Sequence, residues 1–472
     1  MKNFLKRLMG FSIGPIIGAL ISIIQIPILT RLMLVDQYGV SGNFRTLMLN
    51  IPNFLYLGLD QAFSREYHQL KDKKHLFQQA LLIPLLLGLI FSAGLFFFNE
   101  PIAEWLFASR QYGYVVMWSG VLLIAMIVER FVLLLIRMEE RAREYSFFTI
   151  LLKLSIFICS IGLIFLGLRD FKVIVYGMII GQLLVDLFLF LRYRQFFDLS
   201  GFNFDQTLMK QLFAFGLPLM IAMSLNATLN MIDNIMLNSI STKVELGIYT
   251  AGINIVNLIG IFKTAFTTFW TPTAYRWYDE DKSIKHFKFI SDALLFILTG
   301  IYFGILIFRP VIMVILGPSY EPAKYILGLL CFPHIMYTLS ETTTLGIVFS
   351  RKTYFNIFVS LLALIPSVGL NLWLTPHLGA LGAASASCGA YIIFYLARTY
   401  FSRQTGFYFS QRKHLLSVLL MVLAAYLNTL DASYRLIGII LLGLMALWVQ
   451  YPTIQDALSL SLIHISDGAR EA

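Results

Sequence analysis

The chain has 472 residues, of which 58% are hydrophobic and 13% are charged, and its mean hydropathy is +0.76. Soluble domains carry about 25% charged residues, so this composition excludes a soluble protein and indicates one that lies in a bilayer. The 36 Lys and Arg residues exceed the 26 Asp and Glu residues, which gives a formal net charge of +10. Such an excess fits nucleic acid, an anionic membrane face or an anionic substrate, and the positions of the charges decide among them.

Fourteen stretches of the sequence are apolar and long enough to cross a bilayer as helices, which takes about 20 residues. In chain order they lie at residues 11–30, 44–62, 76–98, 112–136, 146–168, 173–191, 212–236, 247–270, 289–308, 325–349, 354–374, 378–400, 414–430 and 434–450. The first stretch imitates a secretory signal, but it contains Pro15 and Pro27 and leads into another span, so we interpret it as a retained helix. The predicted fold is an all-α polytopic membrane protein with about 14 transmembrane helices.

The loops between these spans carry unequal charge on the two sides of the membrane. With the N-terminus in the cytoplasm, the cytoplasmic side collects 23 Lys and Arg residues and the opposite side holds nine. An excess of Lys and Arg in short cytoplasmic loops is the usual mark of orientation. Most of the net positive charge therefore encodes topology, which removes nucleic acid as a partner and predicts a cytoplasmic N-terminus.

The sequence also matches itself at a shift of about 208 residues. Tyr38-Gly39-Val40 corresponds to Leu246-Gly247-Ile248, and further weak matches follow in the same order. Because six helices per repeat give both halves the same orientation, we expect two six-helix bundles related by a pseudo-two-fold axis along the membrane normal, as in MATE-like transporters. The predicted domains are an N-terminal bundle at 1–200, a C-terminal bundle at 201–405, an additional helix pair at 406–451 and a tail at 452–472. The tail is either natural or foreign to the protein, and we leave it out of the fold.

Polar side chains recur at helical intervals along the seventh and eighth predicted spans. A polar residue inside a span normally faces protein or a water-filled cavity. Hydrogen bonding between helices is the alternative, but the number of polar positions on two consecutive spans favours a hydrated central cavity. The predicted cavity-lining residues are Asn226, Asn230, Asn234, Asn238, Asn254, Asn257, Thr264 and Thr268.

Three cations lie near this predicted cavity. Lys263 is in the middle of the eighth span, Arg31 ends the first and Arg45 opens the second. Arg and Lys donate charge-assisted hydrogen bonds that suit phosphate oxygens, so we expect these three residues to hold the anionic head of a substrate. For the two arginines, extension of the side chain to the membrane surface is an equally good explanation.

Acidic residues inside the spans are candidates for coupling a proton or Na⁺ gradient to transport. Asn226, Asn230, Asn234 and Asn238 recur every four residues and form an asparagine stripe on the seventh span. Asp233 borders this stripe and is the first candidate, and Asp60 and Glu341 are the next. Backbone hinges are expected at Pro15, Pro27 and Pro52 and at residues 216–218, where proline interrupts hydrogen bonding within a span.

The sequence carries no motif for a resident cofactor or for catalysis. Its three cysteines and seven histidines lack ligand-like spacing, and neither a phosphate-binding loop nor a nucleophile motif is present. We therefore predict no metal, no cofactor and no enzyme activity.

Four short segments resemble motifs of one known family. They are Ile28-Leu29-Thr30-Arg31-Leu32 followed by Asp36-Gln37-Tyr38-Gly39, Phe213-Ala214-Phe215-Gly216-Leu217-Pro218, Asn230-Met231-Ile232-Asp233, and Glu245-Leu246-Gly247-Ile248-Tyr249. These resemble the polysaccharide (O-antigen type) flippases of the multidrug/oligosaccharidyl-lipid/polysaccharide exporter superfamily, over about residues 5–450. Arg31 and Asp233 fall within the motifs, whereas Arg45 and Lys263 rest on the argument from charge alone.

The resemblance implies a function, a location and partners. The function is translocation of polyprenyl-diphosphate-linked oligosaccharide repeat units from the cytoplasmic to the outer leaflet by alternating access, for polysaccharide or O-antigen biosynthesis. The location is the bacterial cytoplasmic (inner) membrane, and the partners are the lipid-linked oligosaccharide, the bilayer, a polysaccharide polymerase and chain-length machinery. A lipid II flippase and a MATE-type cation or drug antiporter remain alternatives, and a membrane-embedded polysaccharide polymerase is a distant one.

Overall fold

The computed structural model describes residues 2–350, 352, 354–453 and 455. The side chains of residues 2–13, 15, 16, 19, 268, 269 and 272 lie outside this description, as does most of the predicted tail. The described chain divides into two compact units, residues 1–251 with 375–379 and residues 252–374 with 380–472 as far as they are described. This division follows spatial proximity, whereas the predicted boundary at 200/201 follows the sequence repeat and stays a prediction.

The first unit is built from helices throughout its described length. They are α1 (Lys2–Leu32), α2 (Val35–Asn50), α3 (Pro52–Leu55), α4 (Leu59–Glu66), α5 (Lys73–Phe97), α6 (Asn99–Phe107), α7 (Gly113–Met138), α8 (Ala142–Phe165), α9 (Lys172–Arg192) and α10 (Gln206–Ile240), followed by α11 (Lys243–Val256) at the boundary. Side-chain caps begin two of them, because Asp72 accepts from the His75 backbone N–H and Asp205 accepts from the backbone N–H groups of Thr207 and Leu208.

The second unit is helical in the same way. Its helices are α12 (Ile259–Asp279), α13 (Ile284–Ile307), α14 (Arg309–Leu316), α15 (Ala323–Thr343), α16 (Leu345–Phe349), α17 (Phe355–Leu378), α18 (Ala380–Gln404), α19 (Arg412–Thr429) and α20 (Arg435–Val449). The last residues of α17 belong to the first unit.

Each of the fourteen predicted spans coincides with a helix or with a broken helix of the structure. Within the described residues, eight helices are long and apolar enough to cross a membrane: α5, α7 with the turn before it, α8, α9, α10, α13, α17 and α18. The helix α11 and the first part of α12 form a ninth span that bends by 43° at the break between them. The remaining predicted spans fall on α1, on α2–α4, on α15–α16 and on α19 and α20.

The breaks in the helices differ from the predicted hinges. Pro52 begins α3, as expected from its missing backbone donor, and Gly58 precedes α4 with a positive φ of 71°. In contrast, α1 runs through Pro15 and Pro27, and α10 runs through Pro218. The break between α11 and α12 at Asn257 and Leu258 contains no proline. The second helices of both sequence repeats are therefore broken, and so is the tenth predicted span, on α15–α16.

The helices α2 and α11 approach each other at two glycines. A Cβ atom on Gly39 would lie 2.4 Å from the backbone N of Gly247, and one on Gly247 would lie 1.9 Å from the backbone O of Val35. These glycines occupy equivalent positions in the sequence repeat. The matched Tyr-Gly-Val and Leu-Gly-Ile segments thus form a direct backbone contact in the first unit, which requires residues without a side chain.

Three buried phenylalanines pack together in the interior of the first unit. Phe63 of α4 packs edge-on against Phe77 of α5 and Phe131 of α7, and all three are fully buried. Edge-on aromatic pairs contribute packing area and a favourable electrostatic geometry. This core fixes α4 against α7. It therefore brings together Asp60 of α4 and Arg130 of α7, which lie next to Phe63 and Phe131.

Candidate functional site

A buried ion pair joins α4 to α7 in the first unit. Asp60 is fully buried and accepts hydrogen bonds on Oδ2 from Nη2 and Nε of Arg130, at 2.8 and 3.2 Å. The Arg130 guanidinium also lies over the ring of Tyr56, 5.9 Å from its centroid. The second carboxylate oxygen of Asp60 has no hydrogen-bond partner among the described residues. Asp60, a predicted ion-coupling residue, is therefore paired in this structure with an arginine that the prediction did not include.

A second polar group lies on α7 and α9. The Nε2 of Gln182 donates to Glu129 at 2.6 Å and to both carboxylate oxygens of Asp186 at 3.2 and 3.1 Å. One amide group thus joins two acidic side chains within the spans. Lys153 of α8 is close enough to Glu129 to act on it electrostatically.

Two cations of the first unit, on different helices, lie within electrostatic range of each other. Arg45 of α2 and Lys153 of α8 are half-buried and near enough to repel each other. Neither forms a hydrogen bond or an ion pair with a described side chain, apart from the electrostatic influence of Glu129 on Lys153. Two like charges in a low-dielectric region favour an anion between them. Arg31, the third cation predicted in this half, is exposed in the last turn of α1.

The asparagine stripe of α10 is divided along its length. Asn226 is half-buried and Asn230 is exposed, whereas Asn234 and Asn238 are buried. Asn238 donates to the backbone O of Trp105 at 2.9 Å, and its side chain also accepts from Lys243. The latter end of the stripe therefore bonds neighbouring helices, and the cavity-lining role of the stripe stays a prediction.

Asp233, the first candidate for ion coupling, accepts a hydrogen bond from a tyrosine. Asp233 is 4% exposed, and its Oδ2 accepts a hydrogen bond of 2.7 Å from the hydroxyl of Tyr249 in α11. This bond links α10 to the first part of the bent span. A change in the charge of Asp233 would therefore act directly on the position of α11.

The second unit gathers charged and aromatic side chains around one tyrosine. The Nζ of Lys263 lies 3.5 Å from the ring centroid of Tyr337, and the guanidinium of Arg398 lies 5.1 Å from the same centroid. Phe394 stacks on Tyr337 with an interplanar angle of 15°. Glu341 accepts a hydrogen bond of 2.6 Å from Nη1 of Arg398. Three helices, α12, α15 and α18, thus bring two cations and one carboxylate to a single aromatic platform.

This group has two positive side chains, Lys263 and Arg398, and one negative side chain, Glu341. The ion pair of Arg398 and Glu341 is 13% and 18% exposed at the side chains, and Ser340 also accepts from Nη1 of Arg398 at 2.8 Å. Lys263 lacks a hydrogen bond or ion-pair partner among the described side chains, and its ammonium lies over the ring of Tyr337. The group therefore carries one net positive charge that no described side chain neutralises.

The polar residues of the eighth predicted span lie on both sides of the break. Asn257 is exposed, and its Oδ1 is 2.9 Å from Nε2 of His334 in α15. Thr264 is exposed and donates to the backbone of its own helix, and Asn254 is half-buried. The Thr268 side chain lies outside the described residues. In the part of the chain that the structure describes, no group of three or more His, Cys, Asp or Glu residues could hold a metal.

Residues of these groups that the sequence did not single out include Arg130, Lys153, Arg398 and Tyr337. Lys153 lies in the middle of its span. A charged residue at such a position is a candidate for the same reason that Lys263 is. Arg398 lies near the end of its predicted span and so falls among the 23 cations of the predicted cytoplasmic side. No sequence signal marks Tyr337, since its role depends on which helices pack against α15.

Comparison with known proteins places these groups in a family. The model of the polysaccharide biosynthesis protein family matches residues 5–277, which is more than half of the chain. The chain belongs to this family. Compared with curated proteins by sequence, the chain has no significant match.

Solved structures with the same fold are transporters. The lipid II flippase MurJ in its inward closed conformation has a TM-score of 0.72 and 14% identity, over 95% of this chain and 99% of that chain. The MATE multidrug transporter DinF-BH has a TM-score of 0.62 and 15% identity, over 85% and 95%. An inward-facing MATE family transporter of the MOP superfamily has a TM-score of 0.57 and 15% identity, over 82% and 97%.

Family and fold together confirm the predicted fold class and the family resemblance. This member of the polysaccharide biosynthesis protein family is a multi-pass membrane protein that shares its fold with these transporters.

Proposed function

We propose that the protein flips polyprenyl-diphosphate-linked oligosaccharide repeat units from the cytoplasmic to the outer leaflet of the bacterial cytoplasmic membrane. In this proposal the units serve O-antigen or polysaccharide biosynthesis, and a polymerase with chain-length machinery uses them on the outer side. The observation that carries it is Lys263, a cation within a span whose ammonium lies over a tyrosine ring and lacks a hydrogen-bond or ion-pair partner among the described side chains. A lysine held in this way keeps its donors for an anionic group such as a diphosphate.

In the first unit, Arg45 and Arg31 are the further residues that we propose to bind a diphosphate. Arg45 lies beside Lys153, and neither has an ion-pair partner in the described part of the chain, so this region of the first unit is also suited to an anion. A drug or cation antiporter would need the opposite charge at these positions. The positive charge of this region therefore supports an anionic substrate over a cationic one.

Ion coupling is assigned in this proposal to Asp233, with Asp60 and Glu341 as further candidates. Asp233 is the best placed because its hydrogen bond to Tyr249 connects it to the bent span α11–α12. Binding of a proton or Na⁺ at Asp233 would weaken or replace this bond and so change the position of α11. The coupling ion is expected to be H⁺ or Na⁺, with no other cofactor.

A lipid II flippase is the second candidate function. The specific observation in its favour is the fold, because the chain matches the lipid II flippase MurJ over nearly the whole length of both proteins. Both candidate substrates carry a diphosphate between a polyprenyl chain and a saccharide. The cationic residues therefore suit either, and the saccharide distinguishes the two functions.

A leaflet assay in proteoliposomes tests the proposal. Purified protein is reconstituted with fluorescent polyprenyl-diphosphate oligosaccharide or with fluorescent lipid II, and the fraction accessible to an external quencher is followed with and without a pH or Na⁺ gradient. We expect flipping of the oligosaccharide carrier by the wild type and a loss of roughly tenfold or more for Lys263→Gln, since charge-assisted hydrogen bonds contribute about 1.5–3 kcal/mol.

A matched control is Lys324→Gln, which removes a cation of the second unit that pairs with Glu321 at the protein surface. This variant should flip the carrier at the wild-type rate. Flipping of lipid II alone would assign the second candidate function, and equal flipping by Lys263→Gln and wild type would remove Lys263 from the substrate site.

A further inference from the structure

The guanidinium of Arg398 has one nitrogen that donates and one buried nitrogen that does not. Nη1 donates to Glu341 at 2.6 Å and to Ser340 at 2.8 Å. The Nε–H is buried and has no hydrogen-bond partner among the described residues. A buried donor without an acceptor is unfavourable, so this geometry is incomplete without a further acceptor.

The surroundings of that guanidinium are those of an anion site. Lys263 lies on the ring of Tyr337, and Arg398 lies over the same ring and over that of Phe394, 4.9 Å from its centroid. The aromatic rings hold both cations in place without neutralising them, because an aromatic face attracts a cation through its quadrupole and carries no net charge. Two cations on one platform match the two phosphates of a diphosphate group.

Glu341 is the acceptor that such a phosphate would replace. Its carboxylate offers Arg398 the same planar pair of oxygens that a phosphate offers, and arginine binds both in the same fork geometry. The charged or titratable groups that act on Glu341 are Arg398 of α18, Lys263 of α12 and Tyr337 of its own helix. Glu341 and a bound phosphate therefore compete for the same two cations.

We infer that Arg398 is a substrate-binding residue, and that Glu341 occupies its guanidinium until a phosphate group of the substrate displaces it. A proton from the aqueous phase binds the displaced carboxylate, because a second negative charge beside the bound phosphates would be repelled. Substrate and proton thus bind together in this unit. The inference rests on the proposed function, since it requires a diphosphate-bearing substrate, and it adds Arg398 and Tyr337 to the residues that recognise it.

Binding of farnesyl diphosphate to the purified full-length protein in detergent tests the inference. Isothermal titration calorimetry in buffers of different ionisation enthalpy gives both the affinity and the number of protons taken up. Arg398→Gln and Lys263→Gln should each weaken binding about tenfold or more, and farnesol should not bind at this site. Glu341→Gln should bind more tightly than wild type and take up about one proton fewer.

Control variants separate this inference from general effects of charge. Lys324→Gln and Glu321→Gln remove a surface cation and a surface acid of the same unit and should leave both affinity and proton uptake unchanged. Because Arg398→Gln leaves a buried carboxylate without its partner and can prevent folding, the double variant Glu341→Gln/Arg398→Gln and the charge-conserving Arg398→Lys are measured beside it. The double variant should lose the affinity gained by Glu341→Gln alone.

The outcomes distinguish the inference from the proposed function. If the wild type binds farnesyl diphosphate but Glu341→Gln binds more weakly, Glu341 positions Arg398 for the substrate and does not compete with it, which overturns the inference alone. Equal affinities of Glu341→Gln and of the double variant Glu341→Gln/Arg398→Gln would likewise exclude Arg398. Failure of the wild type to bind any polyprenyl diphosphate would reject the proposed function as well.

Discussion

At the scale of single residues, the first unit contains its own pair of cations without a described ion-pair partner. Arg45 and Lys153 come from different helices, α2 and α8, and lie within electrostatic range of each other. Holding two like charges close together in a span costs free energy unless an anion binds there. The pair is therefore expected to contribute to substrate binding and not to stability.

The variants Arg45→Gln and Lys153→Gln test this expectation. Each should lower the rate of flipping in proteoliposomes about tenfold or more, since each removes donors worth about 1.5–3 kcal/mol to a charged acceptor. Neither should lower the thermal unfolding temperature in detergent, because each relieves a repulsion. Lys74→Gln, which breaks an exposed pair with Asp198 at 3.1 Å, is the control and should match wild type in both measurements. Loss of stability without loss of transport would show that the two cations are structural.

The sequence identified charged residues of these groups but not their partners. Lys263, Asp60 and Glu341 were recognisable because a charged residue within an apolar stretch is costly and needs a reason. Arg130 and Arg398, which pair with two of them, could not be assigned because pairing depends on which helices pack together. Tyr337 gave no signal at all, since an aromatic residue within a span is ordinary and only the position of α12 and α18 makes it a cation platform.

At the scale of helices, the hydropathy of the sequence predicts where the chain is helical. The positions of the prolines predict the breaks in the helices less accurately. The position of the long apolar stretches followed directly from the hydropathy of the sequence, and all fourteen fall on helices. Proline was expected to mark the breaks, yet α10 continues through Pro218 and the bend at Asn257 has no proline. A proline removes one hydrogen bond within a helix, and neighbouring helices in a membrane protein compensate for that loss.

The contact between α2 and α11 depends on two glycines and yields a prediction at this scale. Gly39→Ala and Gly247→Ala should each destabilise the protein by about 1–3 kcal/mol, because the added methyl group meets backbone atoms that no side-chain rotation can move. The measurement is thermal unfolding in detergent, followed by the amount of protein in the membrane.

Two glycines in open positions are the matched controls for this contact. A Cβ atom on Gly94 of α5 or on Gly304 of α13 would have no heavy atom within 4 Å. Alanine at either position should be neutral or stabilising, by up to about 1 kcal/mol, because glycine is a poor helix former. If all four variants unfold at the same temperature, the close approach of α2 and α11 is not needed for stability.

At the scale of the whole molecule, the charges of the loops predict one orientation in the membrane. Among the loop cations, 23 lie on the side predicted to be cytoplasmic and nine on the other, and this bias is distributed over both sequence repeats. Because many loops contribute, neutralising one group of cations should leave the orientation unchanged. Few of the cations in the whole chain are proposed to bind substrate.

Cysteine labelling in cells tests this orientation. The three native cysteines are replaced by serine, and single cysteines are introduced at exposed positions on the two predicted sides: Lys71 and Glu280 on the cytoplasmic side, Gln111 and Asp431 on the other. A membrane-impermeant maleimide added to cells with a permeabilised outer membrane should label the cysteines at 111 and 431, and those at 71 and 280 only after lysis. Labelling of 71 and 280 in intact cells would reverse the orientation, and with it the direction in which the substrate is proposed to move. Labelling of only one position of a same-side pair would instead mean that an odd number of spans separates the two positions, where the fold requires an even number. The test therefore also checks that α11–α12, between 71 and 280, and α15–α16, between 111 and 431, each form a single broken span.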